Sequence, residues 1–147
     1  MKSENHMKLT FQSLSCNESF ARVTVAAFIA ALDPTVSEIA DIKTAVSEAV
    51  TNCIVHAYRD CIGPITIHTR IFQNRRVVIT VQDKGCGIAD IEKAMQPLYT
   101  SRPQEERSGL GFSVMQSFTD KLRVSSKPGR GTRVVLEKTL FCKEIGR

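Results

Sequence analysis

Residues 39 to 57 read IADIKTAVSEAVTNCIVHA, and this stretch decides the fold. Its apolar residues recur at helical spacing over roughly six turns, which predicts a long amphipathic helix. The helix start is predicted just upstream, with Asp33 as the N-cap and Pro34 at the first helical position. Glu48 and Asn52 lie four residues apart and therefore project from the same side of this helix, about 40° apart around its axis.

The polar pair on this helix has two interpretations. An isolated Glu48–Asn52 pair is most simply a hydrogen bond at a solvated helix edge. Alternatively, the carboxylate is placed to orient or deprotonate a hydroxyl, and the amide oxygen is placed to ligate Mg²⁺. The spacing alone does not separate these two interpretations.

Upstream of the long helix, the sequence predicts one strand and a second helix. Lys8 to Ser13 alternates polar and apolar residues, as a short strand does. Ser15 and Glu18 have the spacing of a capping box, so a helix is expected to begin there and run to about Leu32. This helix is apolar almost all round, so we expect it to be centrally buried or shared with a partner subunit.

Downstream, the pattern predicts two hairpins separated by a helix. The first hairpin pairs Ile65–Phe72 with Val77–Val81, and the second pairs Arg123–Ser126 with Thr132–Leu140. The helix between them is marked by apolar residues at Leu110, Val114, Met115, Phe118 and Leu122. We therefore expect an α+β two-layer sandwich, with a mixed sheet packed against helices. At 147 residues, one domain covering residues 1–147 is expected.

Three glycine-containing segments are candidate ligand-binding sites. Asp83 follows a predicted strand and precedes Gly85 and Gly87, so its carboxylate could accept a hydrogen bond from an exocyclic amine. Gly109 and Gly111 open a predicted helix, whose unpaired amide groups favour phosphate. Gly131-Thr132 at a strand start is non-specific. Alone, the Asp83 segment is a weak signal that a plain turn also explains, and the Gly109 segment is about equally well explained as a flexible helix start.

Composition narrows the class of protein. A net charge of +5 is too modest to indicate nucleic acid, and we expect no direct nucleic-acid partner. The five cysteines are odd in number and contain no C-x-x-C pair, which argues for a reduced, cytoplasmic compartment. The N-terminus lacks the apolar region of a signal peptide, and the longest apolar run, Val23 to Leu32, is too short for a membrane span. No membrane partner is expected.

In order along the chain, these segments resemble the conserved boxes of the GHKL ATPase superfamily. Glu48…Asn52 resembles the N box, the Asp83 segment the G1 box and Gly109-x-Gly111 the G2 box, with Gly131-Thr132 as the final box. Residues 47–52 (SEAVTN) and 107–112 (RSGLGF) resemble more closely the anti-sigma-factor serine kinases. The resemblance extends over nearly the whole chain.

The resemblance implies an ATP/ADP site that uses Mg²⁺. In it, Asp83 would bind the adenine amino group with support from Thr132, and Asn52 would ligate Mg²⁺. Glu48 would take the proton of a serine hydroxyl, and Arg107 would stabilise charge on the γ-phosphoryl group. A lid would span residues 88–108. The remaining nucleotide-binding residues implied by the resemblance are Gly85, Gly87, Ser108, Gly109, Leu110 and Gly111.

The resemblance also implies protein partners. The family phosphorylates a serine on a small anti-anti-sigma protein and holds a sigma factor inactive. Glu18 and Arg22 would contact the sigma factor, and the N-terminal region would help form a homodimer. A simple i,i+4 ion pair is an adequate alternative for those two residues.

Other functions within the fold are also considered. They are a histidine-kinase catalytic domain from a longer protein, a sigma-factor sequestrator without kinase activity, and the stress-response branch of the same kinase family. In addition, Glu48 could position a water and make the protein a slow ATPase.

Overall fold

The computed structural model describes residues 2–88, 91–95 and 111–141. The helices in these ranges are α1 (Cys16–Ile29), α2 (Val36–Asn52), α3 (Ile91–Ala94) and α4 (Gly111–Phe118). The strands are β1 (Asn5–Gln12), β2 (Pro64–Phe72), β3 (Arg76–Asp83), β4 (Lys121–Lys127) and β5 (Gly131–Thr139). Short turns extend two helices: a 3₁₀ turn at Ala30–Leu32 follows α1, and a π-helical turn at Cys53–Ala57 follows α2.

The strands form one five-stranded sheet in the order β1-β2-β3-β5-β4. Helices α1, α2 and α4 pack together, and their buried residues share one core with the sheet. The predicted α+β two-layer sandwich is therefore confirmed. The expectation of a mixed sheet is wrong, because every described strand pairing is antiparallel. In the described ranges, no helix combines the length and apolar character needed to span a membrane.

Strand alternation places the core on the helical side of the sheet. In β2, Ile65, Ile67, Thr69 and Ile71 are buried while the residues between them are at most partly buried until Phe72. The helices contribute the buried residues Val25, Ile29, Ile42, Val46 and Val50 to the same core. Each such side chain removed from water contributes about 1.5–3 kcal/mol before entropy is counted, so this layer is the main source of stability.

Helix α2 begins at Val36, two residues later than the predicted N-cap at Asp33 implies. Thr35 is the true N-cap: the Thr35 amide donates to Glu38 Oε1 (2.9 Å), and the Glu38 amide donates to Thr35 Oγ1 (3.1 Å). Pro34 disfavours helical geometry at the residue before it, and Asp33 takes a left-handed conformation with φ 50°. Glu38 Oε2 also accepts from the amide of Phe141 (2.6 Å), which ties the end of the sheet to this cap.

Helix α1 begins as predicted but without its capping box. Ser15 occupies the N-cap position and makes no capping bond through its side chain. Glu18 is engaged elsewhere: its carboxylate accepts a hydrogen bond from the Ser47 hydroxyl of α2. The helix buries only one side, since Phe20 and Val23 remain 50% and 54% exposed. The expectation of central burial is therefore wrong for those residues, and the shared subunit interface stays a prediction.

Leu122 lies in β4, not in the preceding helix. Helix α4 ends at Phe118, and the Asp120 amide donates to Glu137 O of β5 (2.8 Å). Asp120 Oδ2 in turn accepts from the Thr139 amide (2.7 Å). These bonds start the strand before Leu122, so its helical spacing from Phe118 is coincidental. Both predicted hairpins are confirmed, and β1 begins three residues earlier than expected.

Candidate functional site

Asp83 stands at the end of β3 and is only 5% exposed. Its Oδ1 accepts hydrogen bonds from the amides of Gly85 (2.9 Å) and Thr132 (3.2 Å). Burial raises the pKa of the Asp83 carboxyl, and the hydrogen bonds that it accepts oppose the rise only in part. Both amides converge on one oxygen, so the carboxylate has acceptor capacity left on its other oxygen.

The loop after Asp83 is held against two other segments. A Cβ atom added at Gly85 would lie 2.3 Å from Ala57 O in the π-helical turn. Gly87 has φ +77°, and a Cβ there would lie 2.2 Å from Lys127 O. Only glycine fits both positions, because one needs a close backbone approach and the other a left-handed conformation. The Cys86 amide fixes the same loop by donating to Ala57 O (3.0 Å).

Two side chains that the sequence did not single out hold this region together. Ser126 accepts from the Ile88 amide (2.7 Å) and lies 2.8 Å from Thr132 Oγ1, so it joins the loop to the second hairpin. The Tyr58 hydroxyl accepts from the Lys84 amide (2.7 Å) and donates to Pro64 O (2.6 Å). Neither contact has a local sequence signal, because each joins segments distant in the chain.

Glu48, Asn52 and Gly111 come together at the start of α4. A Cβ added at Gly111 would lie 3.2 Å from Asn52 Oδ1 and 3.5 Å from Glu48 Oε2. The first turn of α4 therefore faces the polar side of α2, and its amide groups lie where an anion would be favoured. Asn52 offers an amide oxygen there, which is a suitable Mg²⁺ ligand beside phosphate oxygens.

The remaining predicted phosphate and catalytic residues are Arg107, Ser108, Gly109 and Leu110, and they lie outside the described residues. The predicted lid, residues 88–108, also lies outside them except for Ile88 and the helix α3 region. The structure therefore describes the predicted site from one side: the long helix, the loop after β3, Gly111 and Thr132.

Glu18 and Arg22 lie on α1 next to α2. Arg22 Nε is 4.0 Å from Glu18 Oε2, and Arg22 Nη2 donates to Ser19 Oγ (3.2 Å). The ion pair is partly exposed and long, so it contributes little by itself.

A groove of about 430 Å³ lies along α2 beside Arg22 of α1. It is lined by Arg22, Val36, Ile39, Ala40, Lys43, Thr44, Ser47 and Glu48. Glu48 thus lies between the groove and Gly111 of α4 and is close to both.

Comparison with known proteins agrees with this geometry. Residues 16–138 match the family described as histidine kinase-like ATPase domain. The anti-sigma F factor of Caldanaerobacter subterraneus subsp. tengcongensis is 62% identical over 138 residues, covering 94% of this chain and 96% of that protein. The anti-sigma F factor of Clostridium acetobutylicum is 56% identical over 135 residues, covering 92% and 94% respectively.

The fold has a solved counterpart in a Mycobacterium tuberculosis structure that contains RsbU and RsbW domains. Its TM-score is 0.69 at 20% identity, with 92% of this chain and 32% of that chain covered, and it shows the fold alone. The sequence matches carry the assignment further, because they cover almost all of this chain and of its relatives. The chain is an ATP-binding domain of the histidine kinase-like ATPase type and belongs to the anti-sigma F factor family.

Proposed function

We propose that this protein is an anti-sigma factor that inhibits a sigma F-like factor and is also an ATP-dependent serine kinase. Its kinase substrate would be a serine on an anti-anti-sigma partner. One observation carries the kinase half: Glu48 and Asn52 meet Gly111 at the start of α4, with buried Asp83 fixed at the end of β3. This arrangement supports Glu48 as the base, Asn52 as the metal ligand, the start of α4 as the phosphate-binding terminus and Asp83 as the adenine acceptor.

The recognition end uses Asp83. With Oδ1 occupied by the amides of Gly85 and Thr132, its other oxygen is available to accept from the adenine amino group. Gly85 and Gly87 let the loop pack against the backbone of Ala57 and Lys127, which holds the segment next to Asp83 in place. The Thr132 hydroxyl, close to Ser126, supports the same end.

The reacting end uses α2 and the start of α4. Asn52 would hold Mg²⁺, which supplies charge neutralisation between the phosphates. Amides from Ser108 to Gly111 would cradle the phosphate oxygens at the helix terminus. Arg107 would neutralise charge on the transferred group.

Glu48 would accept the proton of the serine hydroxyl as its oxygen attacks the γ-phosphorus. One P–O bond to the serine forms, the P–O bond to ADP breaks, and ADP leaves with the electron pair. Glu48 fits this task because it lines the groove along α2 and its Oε2 would lie 3.5 Å from a Cβ at Gly111, so a serine arriving through the groove would meet it beside the phosphates.

The protein partners would use the N-terminal half. Phe20 and Val23 expose apolar surface on α1, which favours a second copy of the chain as neighbour. Glu18 and Arg22 lie on the same helix, and Arg22 also lines the groove, which favours sigma-factor contact there. The family membership supports a sigma F-like factor as that partner.

The kinase proposal is tested by incubating the protein with γ-labelled ATP, Mg²⁺ and a candidate anti-anti-sigma protein. We expect label on a single serine of the partner and none after that serine is changed to alanine. Label on a histidine of the protein itself would instead indicate histidine-kinase chemistry. ATP binding without any transfer would indicate a sequestrator.

The sigma-factor proposal is tested by pull-down with Arg22→Ala. We expect a clear loss of sigma F-like factor. Arg123→Ala is the matched control, because Arg123 is exposed on β4, far along the chain from α1 and on the other side of the sheet. If both variants retain equal amounts of the sigma F-like factor, Glu18 and Arg22 form only a local ion pair.

A further inference from the structure

Ser126 lies on β4, where the second hairpin meets the loop after β3. Its side chain is half-buried, while the neighbouring Ser125 and Lys127 are exposed, as strand alternation requires. The Gly129 amide donates to Cys86 O (2.7 Å), so the turn of this hairpin is bonded to that loop. The Ser126 hydroxyl therefore lies at the junction between the second hairpin and the segment that follows Asp83.

The Ser126 hydroxyl makes three hydrogen bonds at this junction. It accepts from the amide of Ile88 (2.7 Å), and its oxygen lies 2.9 Å from Gly131 O and 2.8 Å from Thr132 Oγ1. A hydroxyl has one proton to donate and two lone pairs to accept with. Because a carbonyl only accepts, Ser126 donates its one proton to Gly131 O. The bond between the two hydroxyls is then donated by Thr132.

This network fixes what Thr132 offers to a ligand. Its one hydroxyl proton is used on Ser126, so the capacity that remains on Oγ1 is to accept. The Thr132 amide donates to Asp83 Oδ1 (3.2 Å), so the threonine and the carboxylate belong to the same end of the site. The other oxygen of Asp83 is an acceptor as well. The two side chains therefore both present acceptors to a ligand.

A pair of acceptors selects one kind of purine edge. The exocyclic amino group of adenine carries two N–H donors, whereas the 6-oxo group of hypoxanthine or guanine only accepts. An acceptor that faces another acceptor loses its hydrogen bond to water and gains none in return. A Thr132 hydroxyl that was free to rotate could donate to a 6-oxo group, and the selection would then be weaker.

We propose that Ser126 is a positioning residue for base selection: by accepting the proton of Thr132, it holds that hydroxyl as an acceptor for the exocyclic amino group of adenine, directly or through a water molecule. The inference rests on the proposed ATP site at Asp83. Ser126 itself contacts no nucleotide and takes part in no chemical step. Its effect is on which base is bound.

The test compares Ser126→Ala, which frees the Thr132 proton, with Ser126→Thr, which keeps a hydroxyl. Ser125→Ala, at the exposed neighbour, is the matched control. Calorimetry measures the binding of ADP and of purine riboside diphosphate, which lacks the amino group. We expect the preference for ADP to fall about 3- to 10-fold in Ser126→Ala, and to stay within about 2-fold of the parent protein in the other two variants.

Inosine diphosphate, which has a 6-oxo group, separates positioning from packing. In Ser126→Ala the Thr132 hydroxyl can turn and donate to that group, so the preference for ADP over inosine diphosphate should fall further than the preference over purine riboside diphosphate. A fall that is no larger overturns the proposal. So does a variant that binds all three diphosphates more weakly by the same factor, because Ser126 then acts only through the structure of the loop.

A second substitution tests whether the effect passes through Thr132. Thr132→Val removes the hydroxyl, so adding Ser126→Ala to it should leave the base preference unchanged. A further change in preference overturns the proposal. Thermal unfolding shows whether each variant is folded, because Ser126→Ala also removes the acceptor of the Ile88 amide. If it does not fold, Ser126→Cys, which is similar in size and a weak acceptor, is measured with the same expectations.

The parent protein separates this inference from the proposed function. If it binds no ADP, the proposed function fails and the role of Ser126 fails with it. If it prefers ADP to both other diphosphates and Ser126→Ala retains that preference in full, the proposed site stands and the role of Ser126 alone is overturned.

Discussion

The two ends of the candidate site are built in different ways. Asp83 is buried and is held by backbone amides from two separate segments, Gly85 and Thr132. Glu48 and Asn52 are half-buried side chains one turn apart on a single helix, facing Gly111. The proposed recognition end at Asp83 is thus preorganised by tertiary structure. The proposed reacting end depends on two side chains of α2 and on the substrate groups that bind beside them. Changes at the first should alter affinity, and changes at the second should alter rate.

The largest expected effect is on phosphoryl transfer, from a change at the reacting end alone. Glu48→Gln keeps the size and polarity of the side chain but removes the base, so phosphoryl transfer to the partner should fall about 10²–10⁴-fold. ATP affinity should change by less than about 3-fold, because the proposed adenine contacts are made by Asp83 and Thr132 rather than by Glu48. Transfer is measured with labelled ATP and affinity by calorimetry. Unchanged transfer would remove Glu48 from the mechanism.

The next largest effect is on ATP affinity, from a change at the recognition end alone. Asp83→Asn keeps one oxygen as acceptor for the two amides but replaces the other with an NH₂ group. That group cannot accept a hydrogen bond from the adenine amino group, so ATP affinity should fall about 10- to 100-fold. The folded protein should not be destabilised at neutral pH. Because burial raises the pKa of Asp83, its charged form opposes folding, and that cost grows as pH rises through the folded pKa.

This second prediction is checked by calorimetry for ATP and by urea unfolding near the ordinary pKa of an aspartate, about pH 4, and at about pH 7.5. The variant's gain in unfolding free energy relative to the parent should be larger at the higher pH. A variant that binds ATP normally would show that Asp83 does not read the base.

A smaller effect tests whether tertiary contacts hold the recognition end. Tyr58→Phe removes the hydroxyl that joins the Lys84 amide to Pro64 O, so the unfolding free energy should fall by about 1–3 kcal/mol. ATP affinity should fall with it, because Lys84 lies between Asp83 and Gly85. Urea denaturation measures the first change and calorimetry the second. Loss of stability with full ATP affinity would show that the loop is fixed without Tyr58.

The smallest effect concerns the helix pair behind the reacting end. Ser47→Ala removes the donor to Glu18, a partly exposed carboxylate, so the unfolding free energy should fall by about 1 kcal/mol or less. Ser117→Ala is the control, because the exposed Ser117 hydroxyl bonds only within its own helix. Equal stability of the two variants would mean that the Ser47–Glu18 bond contributes no more than a local one.

The sequence predicted those parts of the fold that depend on periodicity. Both hairpins and the long helix follow from apolar spacing, which is a local property. The helix start at Asp33 was wrong because two adjacent signals compete there, and the reciprocal bonds of Thr35 and Glu38 outweigh the preference for Asp33. The capping box of Ser15 failed for a different reason: Glu18 bonds to Ser47, a residue 29 positions away.

The candidate site was predictable as a set of residues but not as an assembly. Motif order placed Glu48, Asn52, Asp83 and Gly111 in one site, and the structure brings Glu48, Asn52 and Gly111 together. The supporting side chains Tyr58 and Ser126 were missed, because each works through a contact that exists only after the sheet has formed. Arg107 and its neighbours remain predictions.

The position of β5 in the sheet has a consequence for how the protein is made. It is the last described strand in the chain, yet it lies between β3 and β4 rather than at an edge. During synthesis, the edge of β3 that pairs with β5 therefore stays unpaired until residues 131–139 have left the ribosome. Thr132 belongs to that strand, so the hydrogen bonds that hold the Asp83 carboxylate are complete only late in synthesis.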